Sequence, residues 1–254
     1  MFYITGDVHG DPNDLIKRTE HLSENDTLII LGDFGFIWSN DIAKNQYILK
    51  ELRESIKCKV AFVDGNHENH PMIAKMETPA PYYGGTAGIL PYDFVHLLRG
   101  EVYDFDGQKV LTIGGADSID RSWRIEGHTW WAEEAITRKE TDYAIQNAKD
   151  HKDLIVLSHD APADLLPILS LFSRVNCEDD VESGQSKFNL NKILYSDLDI
   201  KKWNFGHWHI DKTFSEGFFE CFYTGIKELK DKGYLVIEKT NIDGKFIYEY
   251  KLLK

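Results

Sequence analysis

The chain has 254 residues, of which 42% are hydrophobic and 13% aromatic, enough to bury the core of one domain that we expect to span residues 1–254. Its formal net charge of −13 argues against a protein that holds nucleic acid non-specifically through a basic surface. Cys58, Cys177 and Cys221 are widely spaced, which indicates neither a disulfide framework nor a cysteine zinc site, and we expect them to be reduced and mostly buried.

Targeting and membrane signals are also missing from the pattern. The chain runs from Met1 directly into the apolar segment "FYIT", without a basic region or a run of signal length. No apolar stretch is long enough for a membrane span. We therefore expect a cytoplasmic protein without a membrane partner.

Short apolar runs separated by helix-length segments predict an α/β fold. Predicted strands cover residues 2–5, 27–32, 59–64, 109–115, 153–159 and 201–207. Helices are predicted at 11–22, 40–56 and 131–150. The strand and helix order of the first 64 residues predicts a parallel sheet covered by helices, whereas β-rich segments at 218–225, 233–239 and 245–253 predict antiparallel strands. Two irregular stretches, 78–91 and 174–188, are predicted to be surface loops or lids.

Polar residues of metal-ligand type follow five of the apolar runs. They are Asp7 and His9, Asp33, Asn66 and His67, His159, and His207 and His209. Ligands of open α/β sheets bind outside the carboxyl ends of the strands, so these side chains are expected to converge. Aspartate and histidine bind Zn, Fe or Mn, and asparagine adds a neutral oxygen. Taken alone, "GDVHG" is as well explained by a capped turn and His159 by a hydrogen-bonded core histidine, but the combination favours a metal site.

A glycine precedes the first ligand at four of these positions. They are Gly6, Gly32, Gly65 and Gly206. We expect the missing Cβ to let the backbone turn sharply and approach an ion closely.

The ordered blocks "GDVHG", "GDFG", "GNHE", "LSHD" and "GHWH" resemble the signature of the calcineurin-like metallophosphoesterases, over residues 5–211. The resemblance implies a four-layer α/β/β/α sandwich of two mixed sheets and two divalent metal ions bridged by Asp33. Asp7, His9 and His209 would complete one site, and Asn66, His159 and His207 the other. Such a pair of ions, about 3.5 to 4 Å apart, would activate a bridging water for attack on a phosphate ester. Mn is the expected metal, although Fe, Zn, Co and Ni accept the same ligands.

The resemblance also implies that His67 protonates the leaving group, but its surroundings depart from one branch of the family. Serine/threonine phosphoprotein phosphatases carry "GDxVDRG", whereas this chain has Phe36 and Ile37 in place of the second Asp and the Arg. This favours phosphodiester or nucleotide-type substrates, with a phosphoprotein monoesterase and an inactive binding scaffold as alternatives. The aromatic residues of "GDFGFIW" would line a substrate wall or pack into the core.

A replacement for the missing arginine is predicted in "GGADSIDRSWR", residues 114–124. Arg121 or Arg124 could clamp phosphate oxygens there, although a salt-bridged surface segment has the same composition. Glu68 and His70, next to the ligands, are expected to be solvated, with a supporting role beside the metal ligands as the alternative.

Overall fold

A computed structural model describes residues 1–172 and 184–230 in full, and the backbone of residues 234–242 and 245–253. The strands are β1 (Phe2–Thr5), β2 (Thr27–Leu31), β3 (Lys59–Val63), β4 (Thr78–Tyr82), β5 (Gly85–Ile89), β6 (Val95–Leu97), β7 (Val102–Phe105), β8 (Gln108–Ile113), β9 (Leu154–Ser158), β10 (Ile200–Phe205), β11 (Lys212–Phe214), β12 (Phe219–Cys221), β13 (Ile226–Glu228), β14 (Tyr234–Ile242) and β15 (Lys245–Leu253). The helices are α1 (Pro12–Thr19), α2 (Ile42–Ser55), α3 (His70–Met76), α4 (Arg138–Ala148), α5 (Leu166–Leu169) and α6 (Ser186–Leu194).

The strands form two mixed sheets. The first has the order β15-β14-β13-β1-β2-β3-β6-β5-β4, and the second has the order β11-β12-β10-β9-β8-β7. Strands β1, β2, β3 and β6 are parallel, as are β8, β9, β10 and β12, while antiparallel strands complete both sheets. The carboxyl ends of the parallel strands are therefore available for a common site.

Three apolar cores separate four layers. Helices α1, α2 and α3 cover one face of the first sheet, the two sheets pack face to face, and α4 and α6 cover the outer face of the second. The core under α1, α2 and α3 includes Leu15, Leu49, Ile30 and Phe62. The core between the sheets includes Ile29, Val63, Ile155 and Leu157. The core under α4 and α6 includes Ala144, Ile193, Val156 and Trp203. Because both faces of β2 are covered, its sequence is continuously apolar. The expected α/β/β/α sandwich of two mixed sheets is confirmed.

The predicted loop at 78–91 was wrong, because residues 78–89 form the hairpin of β4 and β5. Prolines 79 and 81 are tolerated since β4 is the edge strand of its sheet, where a missing backbone N–H need not break a ladder. Of the second predicted loop, residues 174–183 lie outside the described residues, and 186–188 begin α6.

The predicted helix at 131–150 begins later than expected, at Arg138. Thr137 and Glu140 form a capping box: the Thr137 hydroxyl accepts from the Glu140 N–H, and the Glu140 carboxylate accepts from the Thr137 N–H. Residues 132–134 form a separate 3-10 turn.

Two of the three cysteines, Cys58 and Cys221, are fully buried and free, as expected. Cys177 lies outside the described residues. Among the helices of the described part of the chain, none has the length and apolar character needed to cross a membrane.

A buried charge cluster joins β6 to the end of β3. The His96 Nδ1 atom lies 2.8 Å from Glu77 Oε2, and its Nε2 atom lies 3.3 Å from Asp64 Oδ1. Arg99 and His70 also adjoin Asp64. Burial disfavours the imidazolium, but the two carboxylates outweigh it and raise the pKa of His96 to about 9.

We expect His96 to make the stability of the fold depend on pH. Since its folded pKa lies above the ordinary value of 6.5, its contribution is complete below about pH 6.5 and is lost as the pH rises towards 9. In His96→Gln, the free energy of unfolding should therefore decline less between pH 6.5 and 9. Urea unfolding in the presence of a chelator measures this. The exposed His128→Gln should retain the wild-type decline, and equal declines in all three proteins would contradict the assignment.

Candidate metal centre

The predicted ligands converge where the carboxyl ends of β1, β2 and β3 meet those of β9 and β10. The structure brings His/Asp groups together in three overlapping clusters: Asp7, His9 and His209; His9, Asp33 and His67; and Asp33, His159 and His207. Within each cluster, the ligand atoms lie within 4.8 Å of one another. The sequence analysis did not assign His67 to metal, so its place in one cluster is an addition.

The first cluster combines one carboxylate and two imidazoles. The Nε2 atoms of His9 and His209 lie 2.9 Å apart, and they lie 3.6 and 3.1 Å from Asp7 Oδ2. The other oxygen of Asp7 accepts a hydrogen bond of 2.8 Å from the backbone N–H of His207. One carboxylate oxygen and two imidazole nitrogens thus point at a common position, which suits a divalent ion of the Mn, Fe or Zn type.

The cluster of Asp33, His159 and His207 lies around the His159 side chain, which is fully buried. Its Nε2 atom lies 3.1 Å from Asn66 Oδ1 and 3.3 Å from Asp33 Oδ1. Its Nδ1 atom donates to the carbonyl of Leu31 at 2.7 Å, which leaves Nε2 free to face a metal. The His207 ring lies 4.9 Å from the His159 ring and completes the group.

The electrostatics of the site favour positive charge beside its two aspartates. Burial opposes a charge on His159, yet Asp33 and Asp7 raise its pKa to about 10. The two aspartates are themselves almost completely buried, and neighbouring histidines hold their pKa values below the ordinary range against the effect of burial. A proton on His159 supplies part of the positive charge beside the aspartates, and a divalent ion that displaces this proton would supply more. The donor set therefore fits a metal.

Asp33 lies between the cluster around Asp7 and the cluster around His159. Its Oδ2 atom lies 3.7 Å from His9 Nδ1, and its Oδ1 atom lies 3.3 Å from His159 Nε2. The backbone N–H of His67 donates to Oδ1 at 2.7 Å, which fixes the carboxylate plane. This position is the one that a bridging ligand requires.

Four of the predicted ligands have a left-handed backbone. The φ angles are +52° for His9, +49° for Asp33, +65° for His207 and +51° for His209. Residues with a Cβ adopt this region at a cost, and such conformations concentrate at functional sites. The sharp turns point consecutive polar side chains into one cleft.

Glycine at three positions makes room for predicted ligand side chains rather than for an ion. A Cβ on Gly206 would lie 2.5 Å from Asp7 Oδ1, whereas one on Gly6 would meet the backbone of Phe222. A Cβ on Gly32 would lie 2.0 Å from His159 Nδ1, and one on Gly65 would lie 2.1 Å from Asp33 Oδ1. The expectation of a close approach is thus supported, but the group that approaches is a ligand.

Two supporting residues escaped the sequence analysis or were misjudged. Arg18 is buried and donates to the carbonyls of Gly6, Asp7 and Tyr223, so it holds the first ligand loop. Its pairing with Asp14 four residues earlier was the available signal. Glu68 was expected to be solvated, which was wrong.

Glu68 is fully buried, and its carboxylate accepts the backbone N–H groups of Phe34 at 2.7 Å and Gly35 at 3.3 Å. It therefore ties the "GNHE" loop to the "GDFG" loop. His70 is likewise largely buried beside Asp64, because it starts α3 with its side chain turned inward. The expectation that it is solvated was also wrong.

The surroundings of His67 differ from those in the phosphoprotein phosphatases. Phe36 and Ile37 are buried in the core under α2, so neither supplies a polar contact to His67, although Phe36 also lines a surface groove with Trp38 and Lys44. Instead, Arg124 Nη2 lies 3.1 Å from His67 Nε2, and Arg124 Nε lies 2.7 Å from Asp120 Oδ1. Burial lowers the pKa of His67, and Arg124 lowers it further, against the opposing effect of Asp33.

The remaining predicted residues have clear positions. Trp38 lies nearly parallel to His67, with ring centroids 6.2 Å apart. Arg121 is exposed on the 3-10 turn 121–123, so of the two predicted arginines only Arg124 touches a predicted site residue among the described contacts.

Comparison with known protein families agrees with this geometry. A family model described as calcineurin-like phosphoesterase matches residues 1–211. A comparison with curated proteins gives no match. Three solved structures that are similar to the chain differ in length and in described activity.

The first is a putative 5'-nucleotidase from Staphylococcus aureus in complex with alpha-ketoglutarate, at 15% identity and a TM-score of 0.45, covering 99% of this chain and 53% of its own. The chain thus spans about half the length of that relative. The second is the protein TT1561 of Thermus thermophilus, at 13% identity and a TM-score of 0.49. The match covers 98% of this chain and 97% of TT1561. The third is the phosphopantetheinyl hydrolase from Mycobacterium tuberculosis, at 18% identity and a TM-score of 0.45. The match covers 88% of this chain and 89% of the hydrolase.

We expect Gly32→Ala to weaken metal binding, because the added Cβ would collide with the His159 ring. Gly107→Ala is a matched control, since Gly107 has a φ of +86° against +89° for Gly32 but no atom within 4 Å of an added Cβ. Both variants carry the same backbone strain, so only the collision differs. Metal content after loading with Mn²⁺, measured by mass spectrometry, compares them. Equal metal content in the two variants would show that the close packing at Gly32 does not matter for the site.

Proposed function

Because the chain belongs to the calcineurin-like phosphoesterase family, we propose that it hydrolyses phosphodiester or nucleotide-type phosphate esters with two divalent metal ions. The observation that supports this most directly is the arrangement of three overlapping His/Asp clusters, in which His9 and Asp33 link the Asp7 cluster to the His159 cluster. When bound, the two ions would supply Lewis-acid polarisation of the phosphoryl oxygens and a water of lowered pKa. Mn is the proposed metal, and the oxygen and imidazole donors also suit Fe, Zn, Co and Ni.

Seven residues are proposed to hold the ions. Asp33 would be shared by the two ions. Asp7, His9 and His209 would hold one ion, and Asn66, His159 and His207 would hold the other. Hydrogen bonds from the His207 and His67 backbone N–H groups orient the two aspartates, and the Leu31 carbonyl orients His159. The substrate phosphate would be attracted to this centre despite the net negative charge of the chain, because two carboxylates offset only part of the charge of two divalent ions.

We assign His67 to protonation of the leaving oxygen. A guanidinium can only donate, so the contact from Arg124 makes His67 Nε2 an acceptor and places the ring proton on Nδ1. In this contact the ring is neutral, so the acid would be the imidazolium, which forms when Nε2 takes a proton and the Arg124 contact is released. Arg124 takes over the orienting role that an aspartate has in phosphoprotein phosphatases, and we propose that its guanidinium also contacts a phosphate oxygen of the substrate.

A groove beside His67 supports a substrate with an extended leaving group. It measures about 390 Å³ and is lined by Gly10, Gly35, Trp38, Lys44 and His128, among others. The Trp38 ring offers an apolar surface for an aryl group or base, and Lys44 offers a positive charge for a second anionic group. A nucleotide or an aryl diester combines these features.

The alternatives fit the chain less well. A phosphoprotein phosphatase would need the second Asp and the Arg of "GDxVDRG", and Phe36 and Ile37 are core residues here. An inactive scaffold would be expected to have lost ligands, whereas all of the predicted ligand types remain clustered.

The proposed activity is tested with an aryl phosphate and a bis-aryl phosphate in the presence of Mn²⁺. We expect hydrolysis of both, with the higher kcat/KM for the diester. Asp33→Asn should lose metal and activity together, because the bridging carboxylate disappears. A protein that binds no metal and hydrolyses neither ester would favour the scaffold instead, and a preference for the monoester would favour a monoesterase.

We expect His67→Asn to lower kcat about 10²-fold or more for esters with poor leaving groups, which need a proton in the transition state. Esters with good leaving groups, such as nitrophenyl esters, should lose much less. Metal content serves as the control, since protonation does not require His67 to be a ligand. Loss of a metal ion in this variant would instead assign His67 to the cluster with His9 and Asp33.

Arg124→Met should raise KM for phosphate esters about tenfold and also lower kcat for poor leaving groups, because one guanidinium is proposed to contact phosphate and to orient His67. Arg121→Met removes an equal charge from the exposed end of the same turn and should change both constants less. Steady-state kinetics of the two variants separate the roles. Larger effects at Arg121 would transfer the phosphate contact to that residue.

A further inference from the structure

A chain of buried hydrogen bonds extends from Asn66 away from the metal centre. Asn66 Nδ2 donates to Ser118 Oγ at 3.1 Å, and Ser118 Oγ donates to Glu134 Oε2 at 2.7 Å. The backbone N–H of Ser118 donates to Glu134 Oε1 at 2.6 Å. All three side chains are at most 4% exposed. Neither Ser118 nor Glu134 belongs to the sequence blocks that resemble the family signature.

The direction of these hydrogen bonds decides how the Asn66 amide is turned. An ionised carboxylate only accepts, so Glu134 takes the single hydroxyl proton of Ser118. The Ser118 oxygen is then left with lone pairs that require a donor, and the NH₂ group of Asn66 supplies it. The amide oxygen must consequently point the other way, towards His159 Nε2, which is 3.1 Å distant.

We propose that Ser118 and Glu134 are positioning residues that hold the Asn66 amide with its oxygen towards the metal. An amide nitrogen in place of that oxygen would present hydrogens to the ion and could not bind it. This inference rests on the proposed role of Asn66 as a ligand and adds the residues that orient it.

Arg99 fixes both ends of this chain. Its guanidinium donates to the Asp64 carboxylate, two residues before Asn66, and to the backbone carbonyls of residues 133, 134 and 135. The loop that carries Glu134 and the loop that carries Asn66 are therefore held to the same planar group. The orientation of the amide is thus supported by side-chain and backbone contacts.

Glu134→Gln should reverse the direction of the chain while it preserves side-chain volume. The glutamine oxygen would remain on the Ser118 N–H, and its NH₂ group would donate to Ser118 Oγ. The hydroxyl proton would then be free to point at Asn66 and favour a flipped amide. We expect the affinity for Mn²⁺ at the Asn66 site to fall about 10- to 100-fold, the usual effect of losing a group that orients a ligand. Ser118→Ala should have an effect in the same range.

The double variant gives a sharper result. Once Ser118 is alanine, Glu134 has lost its route to Asn66, so adding Glu134→Gln should weaken Mn²⁺ binding little further. Independent effects would multiply instead. Calorimetric titration of the full-length chain with Mn²⁺ resolves the two binding steps, and Asn66→Ala identifies which step belongs to the Asn66 site.

Ser186→Ala is the matched control. Ser186 is fully buried and its hydroxyl accepts a backbone N–H, from Ile136, so the variant loses a buried serine of comparable environment without altering the Asn66 contact. Both Mn²⁺ steps should keep the wild-type affinity. Thermal unfolding checks that each variant is folded, and if Ser118→Ala were unfolded, Glu134→Gln would decide the question.

The outcomes distinguish this proposal from the proposed function. Two wild-type steps with only the Asn66 step weakened in the variants support the positioning role. Two steps that are unchanged, or both weakened equally, overturn it and leave the dinuclear centre intact. The absence of two steps in the wild type would overturn the dinuclear centre itself, and with it the role of Asn66.

Discussion

The arrangement of the site depends on the burial of two aspartates, Asp7 and Asp33, at the ends of neighbouring parallel strands. Each is about 1% exposed, and a charged carboxylate at that depth is costly unless hydrogen bonds and cations compensate it. Backbone N–H groups satisfy one oxygen of each, and the surrounding histidines supply either protons or metal coordination. The need for positive charge beside these carboxylates is therefore a property of the fold, and the imidazole and carboxylate donors around them suit the divalent ions proposed above.

Holding these groups together requires unusual backbone and unusual neighbours. Four predicted ligands have a left-handed backbone, and buried polar residues nearby connect separate loops. Arg18 holds the first ligand loop from α1, Glu68 joins the second and third loops, and Arg99 joins the third loop to the segment after β8. Carboxylates and carbonyls compensate the charges of Arg18 and Arg99, whereas burial and the nearby Asp33 and Asp64 raise the pKa of Glu68 well above its ordinary value. The strain of the ligand turns is in this way supported by the rest of the sandwich.

The sequence predicts the parts of this structure that follow from local pattern. The apolar runs identify β1, β2, β3, β8, β9 and β10, because strands covered on both faces must be continuously apolar. The convergence of the candidate ligands is predictable for the same reason, since polar residues directly after such runs lie at one edge of the sheet. The hairpin at 78–89 was missed because prolines and glycines indicate a loop unless the strand is known to lie at an edge. Edge position is a property of the assembled sheet and is invisible in the local sequence.

The local sequence pattern also does not predict that Glu68, Ser118 and Glu134 are buried. Glu68 follows the ligand segment in the sequence and resembles a solvated loop residue, yet two loops close over it. Ser118 and Glu134 are 16 residues apart, and only the tertiary fold places them beside Asn66. Long-range polar contacts of this kind depend on how loops from different strands meet, which hydrophobic periodicity does not encode.

The replacement of an aspartate by Phe36 shows how the same constraint can be met from another element. Phe36 packs against Phe34 in the core, with ring centroids 4.8 Å apart, so the second ligand loop gains apolar anchoring and loses its polar contact with His67. His67 instead has a polar contact with Arg124, which lies in the segment after β8 of the second sheet. An aspartate would favour a proton on the nitrogen that it faces, whereas a guanidinium favours a lone pair there. The tautomer of His67 is consequently inverted, and its orientation now depends on a segment with an exposed surface, since the adjacent Trp123 is 90% exposed.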